Sequence, residues 1–144
     1  MKNSLIIVLC VMIFIFLAVT GLLISRNSDN QKKIAENNEF YLYIGKTITG
    51  GDVTTIINKA INKNEKNKIP KDENGHYFEN NENSIKMVIM INNQEYAMED
   101  IYNNDTLRFI QSFNSINFKC TNIEYHKETG NIKRITVEQI INWF

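Results

Sequence analysis

Two histidines and two cysteines are the side chains of this 144-residue chain best suited to proton transfer or nucleophilic attack near neutral pH. A thiol becomes a nucleophile when a base takes its proton, and His126 follows Cys120 on what reads as a single strand. Six residues along a strand is ~20 Å, beyond hydrogen-bond reach. His76 is the remaining base, and nothing in the spacing brings it to Cys120, so Cys120 reads as a small buried core residue. Glu124 and His126 fall at i and i+2 on one strand face, two ligands where zinc takes three or four. His126 therefore reads as an exposed hairpin residue and His76 as a loop residue. Glu99-Asp100 and Glu79 with Glu82 show no spacing that would set two carboxylates across a scissile bond, and they read as solvated surface.

Phosphate chemistry fares no better. Gly45-Lys46-Thr47 matches the tail of a phosphate-binding loop, but position 40 is Phe where that loop needs Gly, and Gly50-Gly51 interrupts the helix that must follow. Gly50-Gly51 leaves backbone N–H groups that an anion would accept, yet the adjacent Asp52 repels an anion, and turn formation is the plainer use. Asn104-Asp105-Thr106 is a glycosylation sequon of the kind an Asn-rich chain carries by chance. No catalytic, cofactor-binding or metal-binding residue is assigned, and the chain reads as a non-enzyme.

Basic and acidic residues number 16 each, so no excess of positive charge invites nucleic acid. Asn occurs 22 times, Ile 23 and Lys 13, against four Ala and three Arg, a bias toward A/T-rich codons that reports a low-GC genome. Cys10 lies in an apolar run and Cys120 in the polar part, which excludes a disulfide between them on geometric grounds. Leu9 is too large for the residue before a lipidated cysteine, so Cys10 is no lipoprotein acceptor.

That apolar run, Leu5 to Ile24, holds no charge, and 15 of its residues are Leu, Ile, Val or Phe. Twenty residues at ~1.5 Å each span ~30 Å as a helix, the thickness of a bilayer core. It is longer than a cleaved signal's apolar region, and Ala18-Val19-Thr20 ends in the wrong residue for a cleavage site. The organisation read from the sequence is a tail at 1–4, a transmembrane helix at 5–24 that holds the lipid bilayer, a juxtamembrane linker at 25–33 and a small α+β domain at 34–144. Arg26, Lys32 and Lys33 after the span outnumber Lys2 before it, which favours a cytoplasmic domain. A short Lys-bearing start ahead of an apolar run is nonetheless the form of a signal anchor that exports the chain downstream of it. An extracytoplasmic domain on a single-pass cell-membrane protein is the reading adopted.

Within the domain, Phe40 to Ile44 either ends a helix or starts a strand. Val53, Ile56, Ile57, Ala60 and Ile61 form one apolar stripe with Asn58, Lys59, Asn62 and Lys63 opposite, an amphipathic helix over 52–63 that Asp52 opens. Residues 64–83 read as a long polar loop. Ile85 to Ile91 is rich enough in apolar residues on both faces to be a central strand, and Asn92-Asn93 can take the positive φ of a hairpin turn leading to 95–98. A short helix capped by Asp105 or Thr106 turns Leu107, Ile110 and Phe109 or Phe113 inward. Strands at 118–125 and 132–137 pair antiparallel around Gly130, with Tyr125 facing Ile132 and Glu124 facing Lys133. Thr136 with Gln139 suggests a capping box for a last helical turn carrying Ile140, Ile141 and Phe144. Trp143 is a docking or partner-binding anchor.

The segment Tyr43-x-Gly45-Lys46-x-x-Thr49-Gly50-Gly51-Asp52-Val53 and the helix after it resemble uncharacterised small single-span membrane proteins of low-GC Gram-positive bacteria, over about residues 38–137. Some of these associate with gene clusters for Tad-like pili or secretion, and the resemblance carries no catalytic residues with it. The outline is also similar to a type IV pilin, but no Glu occurs before residue 36, where a processed pilin has one early in its helix. The resemblance implies a non-catalytic, membrane-anchored interaction domain serving a cell-envelope, pilus or secretion assembly, with an envelope protein as its partner. A membrane-anchored enzyme or a solute-sensing module are the alternatives.

Overall fold

The computed structural model describes residues 11–26, 39–104 and 106–141, and the chain divides into two units, Met1–Glu36 and Asn37–Phe144. In the first unit, residues 11–26 form a helix, α1. Its Phe14, Phe16, Leu22 and Ile24 are all exposed. The Thr20 hydroxyl donates to the carbonyls of Phe16 at 2.9 Å and Leu17 at 3.0 Å, so the helix satisfies its own polar side chain. Ser25 and Arg26 continue this helix instead of opening a linker. The tail at 1–4, the start of the 5–24 run, Cys10 and the rest of the linker lie outside the described residues. Among the described residues no helix is long and apolar enough to cross a membrane.

The second unit is α+β. Its elements are β1 (Thr47–Thr49), α2 (Gly50–Lys66), β2 (Lys86–Ile91), β3 (Gln94–Ala97), α3 (Met98–Asn103), α4 (Thr106–Phe113), β4 (Asn117–Tyr125) and β5 (Ile132–Gln139). The strands make one five-stranded sheet in the order β1-β4-β5-β2-β3. All neighbours run antiparallel except β2 and β5, which are parallel with Lys86 opposite Arg134 and Val88 opposite Thr136. The two hairpins are thus fused into one mixed sheet through a long-range pairing that local sequence does not announce.

Helix α2 follows its pattern closely. Val53, Ile56, Ile57, Ala60 and Ile61 are buried against the sheet and α4. The N-terminus differs from expectation. Thr49 is the cap and Asp52 sits at N3. The Thr49 hydroxyl accepts from the Asp52 N–H at 3.3 Å, and the Asp52 carboxylate accepts from the Thr49 N–H at 2.9 Å. Gly50 and Gly51 are therefore inside the helix. A Cβ on Gly50 would lie 2.3 Å from the Phe113 carbonyl oxygen, so this glycine lets the end of α4 approach the start of α2.

Phe40 to Ile44 ends a helix, with residues 39–41 helical and Phe40 fully buried. Strand β2 is interior, as its composition suggests, but its alternate residues differ: Met87, Ile89 and Ile91 are buried while Lys86, Val88 and Met90 are half-buried. Asn92 and Asn93 take φ of 51° and 63°, both positive, and close the β2–β3 hairpin. Met98 leaves the hairpin to begin α3, a helix that the sequence pattern does not reveal.

In α4, Phe109 is buried and its ring stacks on Phe113 at 4.8 Å, while Leu107 is 68% exposed, so the inward face is set by the phenylalanines. Asp105 lies outside the described residues. The β4–β5 hairpin keeps Tyr125 opposite Ile132 but sets Glu124 opposite Arg134, because Lys133 is an extra residue at a bulge. Strand β5 runs on to Gln139, held between β4 and β2, so the expected turn after Thr136 does not form. Trp143 and Phe144 lie outside the described residues.

Candidate functional site

The expected polar loop at 64–83 is an ordered arm. Helix α2 runs to Lys66, and Asn64 is buried at its end, where its side-chain amide donates to the Ile85 carbonyl and accepts from the Ile85 N–H, both at 2.8 Å. The Asn67 amide donates to the Asn83 carbonyl at 3.0 Å. The Asn80 side chain accepts from the N–H groups of Glu82, Asn83 and Ser84. These three asparagines replace secondary structure as partners for the loop backbone.

The arm folds back at Asp72, whose carboxylate accepts from the N–H groups of Asn74 and His76 at 2.9 Å each. Ile69 and Tyr77 bury themselves in the core. Burial, then the nearby Glu65 carboxylate that receives the Tyr77 hydroxyl hydrogen, push the phenol up to about 12. Two contacts tie the arm to the start of α3. His76 Nε2 lies 2.8 Å from Asp100 Oδ1, and the Tyr77 N–H donates to Glu99 Oε1 at 3.2 Å. The hydrogen bond to Asp100 raises the His76 pKa above its ordinary value.

Under the arm lies a cleft of about 290 Å³ on the sheet face opposite α2, with Glu79, Lys86, Arg134 and Glu99 among its lining. Glu79 pairs with Lys133 and with Lys86, and the hydrogen bond from Lys133 holds its carboxyl below the usual range. A second cleft, about 320 Å³ and more apolar, lies between α3, α4 and the β2–β3 hairpin, walled by Ile101, Phe109 and Phe113.

The residues that the sequence singles out for chemistry thus fall into three environments. Cys120 is buried in the core and burial pushes its thiol up, so it is neither exposed nor activated. His126 is also buried, contrary to the exposed position expected. The bulge at Glu124 and Tyr125 ends the strand alternation, so His126 turns inward and its Nε2–H donates to the Ser84 carbonyl at 2.7 Å while Glu124 stays exposed. His76 and Asp100 meet across the arm, a pairing with no signature in sequence because 24 positions separate them. Glu99, read as solvated, is 3% exposed. Among the described residues no group of three His, Cys, Asp or Glu side chains is arranged to hold a metal ion.

Searches against protein-family models, curated proteins and solved structures match nothing.

Proposed function

We propose that this chain is a membrane-anchored, non-catalytic interaction domain, with residues 5–24 as a single-pass signal anchor and the α+β unit outside the cytoplasm. The observation that carries the reading is the run of large apolar side chains exposed along α1. A helix with Phe14 and Ile24 exposed is costly in water and stable in lipid. The buried Cys120 and the two separated histidines supply no nucleophile and base within reach of each other, which favours binding over catalysis. The proposed partner is a protein of a cell-envelope, pilus or secretion assembly, following the resemblance at Tyr43 to Val53.

The test has two parts. Membranes from cells making the full-length tagged protein are washed with alkaline carbonate, and protease is added to intact cells. Retention in the pellet with digestion of the domain supports the anchor and its orientation; release by carbonate overturns the anchor. Mild in-cell cross-linking with mass spectrometry then reads the partner. Stoichiometric envelope proteins support the assembly role, and recovery of the protein alone counts against it.

A further inference from the structure

Four of the nine exposed large apolar side chains described in the second unit gather at one place. Tyr41, Leu42 and Ile44 lie on a tight turn, closed by hydrogen bonds from the Tyr43 N–H to the Phe40 carbonyl and from the Ile44 N–H to the Tyr41 carbonyl. Ile44 pairs with Cys120 of β4, and the Tyr41 hydroxyl hydrogen-bonds that of Tyr125 at the end of the same strand. Leu42 is 61% exposed, and Tyr41, Ile44 and Tyr125 are 43%, 37% and 40% exposed. Phe40 and Ile48 are buried on either side of the turn, so the segment between them is held in place with these residues outward.

Two phenol rings beside two aliphatic side chains match the boundary between lipid headgroups and acyl chains. The ring bodies are apolar, the hydroxyls find partners in the headgroup layer, and Leu42 and Ile44 meet hydrocarbon. The charges nearby agree. Lys46 and Lys119 are exposed beside Ile44 and its partner on β4. Glu39 is taken up by Lys59 at 4.0 Å and Lys63 at 3.6 Å, and Glu124, exposed next to Tyr125, stands opposite Arg134 of β5.

Chain length favours lipid over a soluble partner. Thirteen residues lead from Arg26 of α1 to Glu39. At ~3.4 Å each they reach at most ~45 Å. A tether that short presents the patch at high effective concentration to any bilayer that α1 occupies, so a small apolar area suffices there. A soluble partner has no such advantage.

We propose that Tyr41, Leu42, Ile44 and Tyr125 form a lipid-contact patch, by which the α+β unit rests on the surface of the membrane that carries α1. Leu42 enters the upper part of the acyl layer. The proposal rests on the reading of residues 5–24 as an anchor and adds which side of the α+β unit meets lipid.

Trp143 is the one tryptophan of the chain, so Trp143→Phe gives a silent background for a reporter placed by a second substitution. Full-length protein carrying Trp143→Phe and Leu42→Trp is reconstituted into vesicles of phosphatidylcholine and phosphatidylglycerol. Their acyl chains are either unmodified or brominated near the headgroup end. The control carries Phe78→Trp in the same background. Phe78 is 54% exposed and lines the cleft with Glu95 and Ala97 of β3, which lies three strand spacings, roughly 14 Å, from β4. Bromination lowers the emission at position 42 at least ~2-fold and leaves that at position 78 unchanged, since contact quenching requires a side chain within the headgroup–acyl boundary. Equal emission at position 42 in the two kinds of vesicle overturns the proposal, as does equal quenching at both positions. Flotation of the same samples separates the two readings. Protein that parts from the vesicles overturns the anchor and the patch with it, whereas protein that floats without quenching overturns the patch alone. If Leu42→Trp fails to fold by circular dichroism, Tyr41→Trp takes its place with the same expected results.

Discussion

On β2, Met87, Ile89 and Ile91 enter the core on the α2 side, whereas Lys86, Val88 and Met90, each one residue away, face the other side and remain half-buried. Strand β5 repeats the division, with Ile135 and Val137 inside and Arg134 and Thr136 outside. The inner face is stabilised by apolar area removed from water, worth about 25 cal/mol per Å². The outer face is held by ion pairs such as Glu79 with Lys133, each worth about 0–1 kcal/mol where solvent reaches it. Stability is thus concentrated on one side of the sheet.

The comparison breaks most sharply at Phe118, fully buried on β4 with the rings of Phe109 and Phe113 about it at 6.4 Å and 6.3 Å. Phe118→Ala should cost about 3–5 kcal/mol in urea unfolding followed by near-UV circular dichroism. Thr136→Ala, on the opposite face, should stay within ~0.5 kcal/mol. If the two costs came out alike, the division of labour between the faces would be wrong.

Asn64 comes next, since it serves both the N–H and the carbonyl of Ile85 in a buried place. Asn64→Ala leaves both backbone groups without partners and should cost about 2–4 kcal/mol, with amide exchange at Ile85 accelerated well beyond that of the rest of β2. Thr49→Ala removes the hydroxyl half of the capping box and should cost ~1 kcal/mol, and Thr49→Ser should restore most of it.

The smallest effect belongs to the outer side. His76 has its folded pKa raised, chiefly by the hydrogen bond to Asp100, so its contribution to stability is fully present below the unfolded value of about 6.5. It is lost as pH rises through the folded value. Wild type and His76→Gln should therefore differ in melting temperature at pH 5 and converge by pH 9. A gap that widens with pH would reverse the sign and refute the pairing. Both side chains are more than a third exposed, at 37% and 47%, which keeps the gap small.

Much of the inner face is legible in the sequence. The stripe from Val53 to Ile61 fixes α2 because a 3.6-residue period admits one buried side, and Asn92-Asn93 announces its turn because asparagine tolerates positive φ. The outer face is not legible. Its geometry depends on the parallel pairing of β2 with β5, on an extra residue at Lys133 that moves Glu124 from Lys133 to Arg134, and on a bulge that turns His126 inward. None of these has a local signal, since each is decided by which strand arrives alongside. The burial of Glu99 belongs to the same class. A Glu-Asp pair at a helix start reads as solvated until an arm from 22 positions earlier covers it.

The last strand of the chain lies in the middle of the sheet, between β4 and β2. During synthesis β2 and its hairpin emerge with one edge open, and that edge cannot be closed until Gln139 has left the ribosome. A chain interrupted between Tyr125 and Ile132 has α2 and four strands but lacks the one that joins them. Maturation of this sheet is thus timed by the emergence of β5, and products truncated before it should be recognised by quality control as unpaired strands.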